Sequence, residues 1–454
     1  MSAAPPLDFD LVVLGGGSGG LAGAFRAAGH GARVALLEPG ELGGTCVNVG
    51  CVPKKAMWLA AELAGHVALA ARLGFDVPAA PGFDWRRFIT DRQRYIHGIH
   101  DSYRRRLDEA GIVLLPSAGR LRDAHTVECA DGSRLHAGHI LLATGSSPTR
   151  PDLPGAELAG ISDDFFALDA APGRVALIGG GYISVELAGM LQTFGSRVEL
   201  FVRGDRLLSH ADGELAAQLA DNYRQQGIHA HFGYRLAAIE RDGGRLRLRD
   251  GEGVAGEPFD SVIAAIGRRA NSRGIGLEEA GVALDEAGNV KVDDFQRSSV
   301  AHILAVGDVT GRATLTPVAI AAARRTMDRV FGGQTDAKLD YDDIPTVVFS
   351  HPPLAAVGLT ESAARARHGD DVHVYRSSFR PMLHALAESP QRSLFKLVCV
   401  GDERRVVGIH LLGDGADEIL QGFAVALRRG ITLQDLHDTV AIHPTSAEEV
   451  VLMR

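Results

Sequence analysis

Two stretches of this chain repeat one pattern, and the repetition limits the fold more than any other feature. In "FDLVVLGGGSGGLAGAFRAAGHGARVALLEPG" an apolar run, Leu11 to Leu14, enters G-x-G-x-x-G at Gly15, Gly17 and Gly20. A helix-like segment follows, and a second apolar run, "RVALLE", ends at Glu38. Strand, glycine turn, helix, strand and acid make a dinucleotide-binding unit. The glycines let backbone approach a pyrophosphate, the helix N-terminus attracts it, and the acid accepts from ribose hydroxyls. The pattern returns in "GRVALIGGGYISVELAGMLQTFGSRVELFVRG", where Gly179 and Gly181 are kept and Ser184 takes the third position. Here the second strand ends in Val202 and Arg203 instead of an acid. A carboxylate repels a ribose 2′-phosphate and a guanidinium binds it, so the first unit suits a free ribose and the second suits NADP(H). Two dinucleotides on one chain point to hydride transfer from NADPH to FAD, with FAD in the first unit.

A chain of 454 residues is too long for one core and implies several domains. A net charge of -9 leaves no cationic excess to neutralise nucleic-acid phosphates. The opening "MSAAPPLDFDLVVLGGGSGG" lacks the basic region of a secretory leader, and no apolar run reaches the ~20 residues that span a bilayer. These features lead to the expectation of a cytoplasmic protein, without membrane or nucleic-acid partners. Of the four cysteines, Cys129 and Cys399 lie in strand-like runs and read as small buried hydrophobes.

The other two stand in "GGTCVNVGCVPKK" as Cys46 and Cys51. Metal binding is poorly supported, because no second C-x-x-C or H-x-x-x-H pair accompanies them. Packing alone is a weak account for two cysteines among glycines. A redox-active disulfide fits the adjoining flavin fingerprint, but it demands a distorted helix. In an ideal helix i and i+5 differ by about 140° of rotation and stand too far apart to bond. Gly50 loosens the turn, and Pro53 removes an amide donor and restricts Val52. A helix N-terminus there would also stabilise a thiolate at Cys51.

"GGTCVNVGCVPKK" resembles the active site of the class I pyridine nucleotide-disulfide oxidoreductases, the flavoprotein disulfide reductases, and within them the glutathione reductase branch. Lipoamide-type members usually carry Ser-Lys where Lys54-Lys55 stands here. "GGGYISVELAG", "IPTVVFSHPP" and "AIHPTSAEE" extend the resemblance along essentially the whole chain. It implies two Rossmann-like α/β domains, for FAD and NADP(H), and a C-terminal α+β dimerisation domain. Cys46 is then the interchange thiol, and Cys51 the flavin-side thiol that forms the charge-transfer thiolate. Lys54 pairs with Glu186 beside the flavin, and Tyr182, one helical turn before Glu186, covers the ring until nicotinamide enters. The implied FAD set is Gly15, Gly17, Ser18, Gly19, Gly20, Glu38, Thr45, Lys54, Thr144, Gly145, Asp308 and Thr316. Asp308 follows the strand-like "HILAVG" and is placed to accept from ribityl or ribose hydroxyls. The NADP set is Gly179, Gly181, Tyr182, Ile183, Glu186, Arg203, Arg206 and Gly267.

A dithiol reductase needs a proton donor for the leaving thiolate, and histidine suits neutral pH. Among 18 histidines, "AIHPTSAEEVV" singles out His443, with Glu448 to orient it. Thr445 and Glu448 also spell a capping box. The resemblance supplies this histidine from the second subunit of a homodimer, with a His443–Pro444 bond that is cis. His351, also before a proline, reads as a structural turn residue. For glutathione disulfide, the implied substrate residues are Ser18, Tyr103, Arg324 and His443, and Ala22 fits glutathione better than cationic trypanothione. Three departures stand out. Phe25 occupies a position where some members have a second substrate arginine. Ser209 replaces a second phosphate-binding arginine, leaving Arg206 to compensate. "GRRANS" lacks a common proline. The expected division is 1–149 (FAD), 150–268 (NADP(H)), 269–340 (return to the FAD domain) and 341–454 (interface). The resulting expectation is NADPH-dependent reduction of glutathione disulfide, serving glutathione metabolism and cell redox homeostasis. Trypanothione or lipoamide reductases and a non-catalytic flavin redox sensor are the alternatives.

Overall fold

Apolar runs buried on both faces favour parallel strands, and both glycine patterns begin with such a strand. The computed structural model describes residues 8–77, 82–254 and 256–454; the start of the chain, read above as lacking a leader, lies partly outside them. The chain divides into two units. One comprises Met1–Lys54, Arg87–Thr149 and Gly267–Tyr341; the other comprises Lys55–Arg86, Arg150–Ile266 and Asp342–Arg454.

In the first unit, strand Phe9–Leu14 lies between Val34–Leu37 and Arg134–Leu142, parallel to both. Val113–Leu115 extends the sheet beyond Val34–Leu37, and Ile303–Ala305 pairs with the far side of Arg134–Leu142. Leu11, Val12 and Val13 are wholly buried, as a central strand covered on both faces requires. Helix Ser18–Gly29 leaves the first strand through the glycine turn and contributes Leu21, Ala24 and Ala27 to one core, against Ala322, Ala323 and Met327 of helix Thr316–Val330.

The second unit holds two five-stranded sheets and a two-stranded one. The second glycine pattern forms a parallel sheet in the order His229–Phe232, Arg197–Val202, Arg174–Ile178, Ser261–Ala264, Gly160–Ile161. The C-terminal part forms an antiparallel sheet in the order Thr346–Val348, Leu354–Gly358, Arg405–Leu412, Ser393–Val400, Val372–Phe379. Helix Ala416–Leu427 packs on it through Leu420, Ala424 and Leu427. Both dinucleotide-type folds and the C-terminal α+β domain are therefore present. Cys129 and Cys399 are buried in these cores. No helix among the described residues is long and apolar enough to cross a membrane.

A buried charge cluster ties strand Ser393–Val400 to the starts of helices Gly213–Gln225 and Glu361–His368. Lys396, 1% exposed, donates to Asp212 (2.9 Å) and lies 2.7 Å from Glu361 and 3.0 Å from Glu214. Asp212 also caps helix Gly213–Gln225 through the Glu214 amide. Burial pushes the Asp212 carboxyl up, but the bonds and charge of Lys396 outweigh it and hold the carboxyl below its usual range. Depressed carboxylates stabilise the fold above their unfolded values and lose that contribution as pH falls through the folded ones. Lys396→Met would leave the acids facing one another. The expected loss is ~3–5 kcal/mol near pH 7, shrinking toward pH 4 as the acids protonate; thermal unfolding across that range measures it.

Candidate active site

The first glycine turn is shaped by contacts that no side chain could share. A Cβ on Gly20 would stand 1.8 Å from the Gly15 carbonyl oxygen, so the helix start can close on the turn only with glycine there. Gly15, Gly17, Ser18 and Gly19 complete this turn and the first helical residues. Glu38 is fixed at the end of its strand, with Gly16 N–H on Oε2 (2.7 Å) and Gly40 N–H on Oε1 (2.9 Å). Its remaining lone pairs suit two ribose hydroxyls. Asp308 accepts from Ser146 Oγ (2.6 Å), which accepts from Arg268 Nε (2.8 Å), while Arg268 Nη2 reaches Thr45 Oγ1 (3.2 Å). Thr144 and Gly145 are locked to the "GRRANS" loop through Asn271, which bonds both main chains at 3.0 Å. This arrangement of bare backbone and oriented acids fits FAD.

The cysteine segment lies directly against that turn. A Cβ on Gly44 would come within 2.8 Å of Gly17 Cα. Helix Gly44–Asn48 carries Thr45 and Cys46, breaks at Val49–Gly50, and restarts as Cys51–Ala70. Gly50 is required by its neighbour: a Cβ would lie 2.7 Å from the Thr45 carbonyl oxygen. This break replaces the single distorted helix expected from sequence. It brings residues i and i+5 together, so that Cys46 and Cys51, free thiols here, hydrogen bond to each other. That bond, then burial, pushes the Cys46 thiol far above its ordinary range, while the Thr316 and Ser18 hydroxyls act in the opposite direction. Thr316 Oγ1 also lies 3.6 Å from Cys51 Sγ. Cys51 is exposed at the N-terminus of a 20-residue helix, a position that favours a thiolate. Half-buried Tyr103 is near enough for Cys46 to raise its phenol, after burial, while Arg106 lowers it. Arg324 is exposed on helix Thr316–Val330, and Lys54 stands one turn into the cysteine helix.

In the second unit Gly179 and Gly181 form the turn before helix Tyr182–Thr193. Ser184 is buried under it, and Tyr182 is 48% exposed at the helix start, next to half-buried Ile183. Val202 is buried and Arg203 exposed at the end of the neighbouring strand. Arg206 Nη2 is tied to the Ser209 carbonyl (2.7 Å), which holds it in the same loop. Gly267, grouped with the first unit, accepts the Thr149 amide through its carbonyl (2.9 Å). Glu186, almost buried, accepts the Phe349 amide (2.9 Å). His443 projects into solvent, its side chain 78% exposed, and Nδ1 donates to Glu448 Oε2 (2.9 Å), leaving Nε2 outward. Thr445 Oγ1 accepts the Glu448 amide (3.3 Å), so only the backbone half of the capping box forms; the Glu448 carboxylate is occupied by the histidine. Both His351–Pro352 and His443–Pro444 are cis. His351 is buried beside Trp58, and burial pushes its imidazole down to about 4, which suits a structural residue.

Residues 9–323 match the family model described as pyridine nucleotide-disulphide oxidoreductase, and residues 344–454 match its dimerisation domain. The chain belongs to the pyridine nucleotide-disulphide oxidoreductases. It is 43% identical over 464 residues to the glutathione reductase of Yarrowia lipolytica, covering 98% of this chain and 99% of that protein.

Sequence reasoning missed parts of this oxidoreductase site. The Arg268–Ser146 support of Asp308 left only a faint trace in "GSSP" and "GRR", because a bond between residues 122 positions apart has no local pattern. Lys55, the second lysine of the motif, is held by Asp417 (3.0 Å) and lies over the rings of Trp58 (4.0 Å) and Phe349 (4.2 Å). Thr316 touches the sulfurs as well as standing in the expected flavin set. Thr316→Val removes a donor that favours both thiolates. Iodoacetamide alkylation of the NADPH-reduced protein should then slow at pH 7, with its pH midpoint displaced upward; an unchanged profile would remove Thr316 from this role.

Proposed function

We propose that this chain is an NADPH-dependent glutathione disulfide reductase that works as a homodimer. The observation carrying the reading is the hydrogen-bonded pair Cys46 and Cys51, set by a helix break against a dinucleotide turn. FAD, when bound, would supply two-electron transfer between NADPH and the Cys46–Cys51 pair. The chain's own residues do the rest. Gly15 to Gly20, Glu38 and Asp308 hold the flavin nucleotide, with Thr45, Lys54, Thr144 and Gly145 around it. Gly179, Gly181, Ile183, Arg203 and Arg206 hold NADPH, with Tyr182 and Glu186 on the helix that follows this turn.

The reduced pair then holds one proton on Cys46 and the charge on Cys51. The partner subunit's His443, oriented by Glu448, takes the Cys46 proton, and the Cys46 thiolate attacks one sulfur of glutathione disulfide, forming a mixed disulfide and releasing a glutathione thiolate. The same imidazolium then gives its proton to that thiolate. Cys51 next attacks the Cys46 sulfur, which frees the second glutathione and restores the intramolecular disulfide. Sequence places Val440 and Ile442 around His443, and they are 92% and 76% exposed, as a surface covered by a second subunit would be. Ser18, Tyr103 and Arg324 hold the substrate. The division into FAD, NADP(H), central and interface segments at 149, 268 and 340, and a cytoplasmic location, complete the proposal.

The test is NADPH oxidation with glutathione, trypanothione and lipoamide disulfides; turnover confined to the last two would overturn the substrate assignment. His443→Gln should lower glutathione disulfide turnover by about 10²–10⁴-fold, with the loss in the disulfide half-reaction under stopped flow. Arg203→Leu should raise KM for NADPH about tenfold and leave that for NADH in place, since only the 2′-phosphate is lost.

A further inference from the structure

Phe25 departs from the pattern expected of a site that binds a polyanionic disulfide, and the structure shows what it does. Helix Trp85–Glu109 carries Tyr103 and Arg106 three residues apart, on one face. Phe25, on the fingerprint helix, packs in the same cluster as Tyr103 and Ala22. The Arg106 guanidinium lies over the Phe25 ring, 4.5 Å from its centroid. After burial, the Cys46 thiol raises the Tyr103 phenol and the Arg106 guanidinium lowers it, so both lie within electrostatic reach of Tyr103. Arg94, Tyr95, Ser102, Tyr103 and Arg106 line a concavity of about 440 Å³.

The arginines of this helix are not equivalent. Arg94 is paired with Asp91, and Arg104 with Glu41 and Asp101. Among the described residues, no carboxylate is seen on Arg106; a ring supports it instead. Stacking uses the face of a guanidinium and leaves its edge N–H groups directed outward, in the fork that matches a carboxylate.

We propose that Arg106, perched on Phe25, binds a carboxylate of the disulfide substrate and so supplies from the neighbouring helix the cation that position 25 lacks. This rests on the reading of the chain as a glutathione disulfide reductase. Phe25 acts through Arg106 as a positioning residue.

Steady-state kinetics of Arg106→Ala, Arg106→Lys and Phe25→Leu test it, with flavin content and thermal midpoint as controls on folding. Arg106→Ala should raise KM for glutathione disulfide about tenfold with kcat within about twofold. Arg106→Lys should recover part of the loss, and Phe25→Leu should raise KM less than Arg106→Ala. With the carboxylates of glutathione disulfide esterified, wild type and Arg106→Ala should have the same KM. An unchanged KM in Arg106→Ala, or an equal rise with the ester, overturns the assignment while leaving the functional reading intact. A well-folded wild type that fails to reduce glutathione disulfide overturns both.

Discussion

Backbone lying against backbone, with no side chain between, is the constraint on which the chemistry of this protein depends. Gly17 and Gly44 bring the cysteine segment onto the dinucleotide turn, and Gly50 lets the chain fold back on Thr45. With a larger residue at Gly44 or Gly50, the short helix Gly44–Asn48 would be pushed away from the turn and from the helix that begins at Cys51. The thiols would then lose both each other and the hydroxyls of Ser18 and Thr316. The same closeness produces the division of charge. Two thiols sharing a hydrogen bond cannot both ionise easily, and here it is the Cys46 thiol that is pushed up.

Around this point polar groups act as props, each oriented by another. Asp308 is aimed by Ser146, and Ser146 by Arg268, which also reaches the residue beside Cys46. In the other unit, His443 is aimed by Glu448, whose amide is held in turn by Thr445. Oriented partners of this kind cost little reorganisation when charge develops. Lys396 works differently. It is closed from water among three carboxylates and joins a strand of the antiparallel sheet to two helix starts.

Much of this was legible in the chain. Glycine spacing, the strand-end Glu38 and the contrasting Arg203 marked the two nucleotide units, because those roles belong to short segments whose residues act where they stand. The cysteine motif and "AIHPTSAEE" were equally plain. Less legible was how the i and i+5 cysteines meet. A distorted helix was the natural inference from Gly50 and Pro53, whereas the structure uses two helices and a break at Val49–Gly50. The capping box was half right, since the carboxylate that would close it turns to the imidazole.

By itself the sequence determined which residue types were available and in what local order: two glycine turns, one followed by a strand ending in Glu38 and the other by one ending before Arg203, a thiol pair, and a histidine with an acid five residues on. Only the tertiary structure decided which groups hold one another. It placed Arg268 behind Asp308, set Lys55 on Trp58 and Phe349, and laid Arg106 on Phe25. Local pattern reflects backbone geometry, which acts over a few residues; hydrogen bonds and ring contacts reach only a few ångströms but join residues far apart in the chain, so they exist only once it has folded.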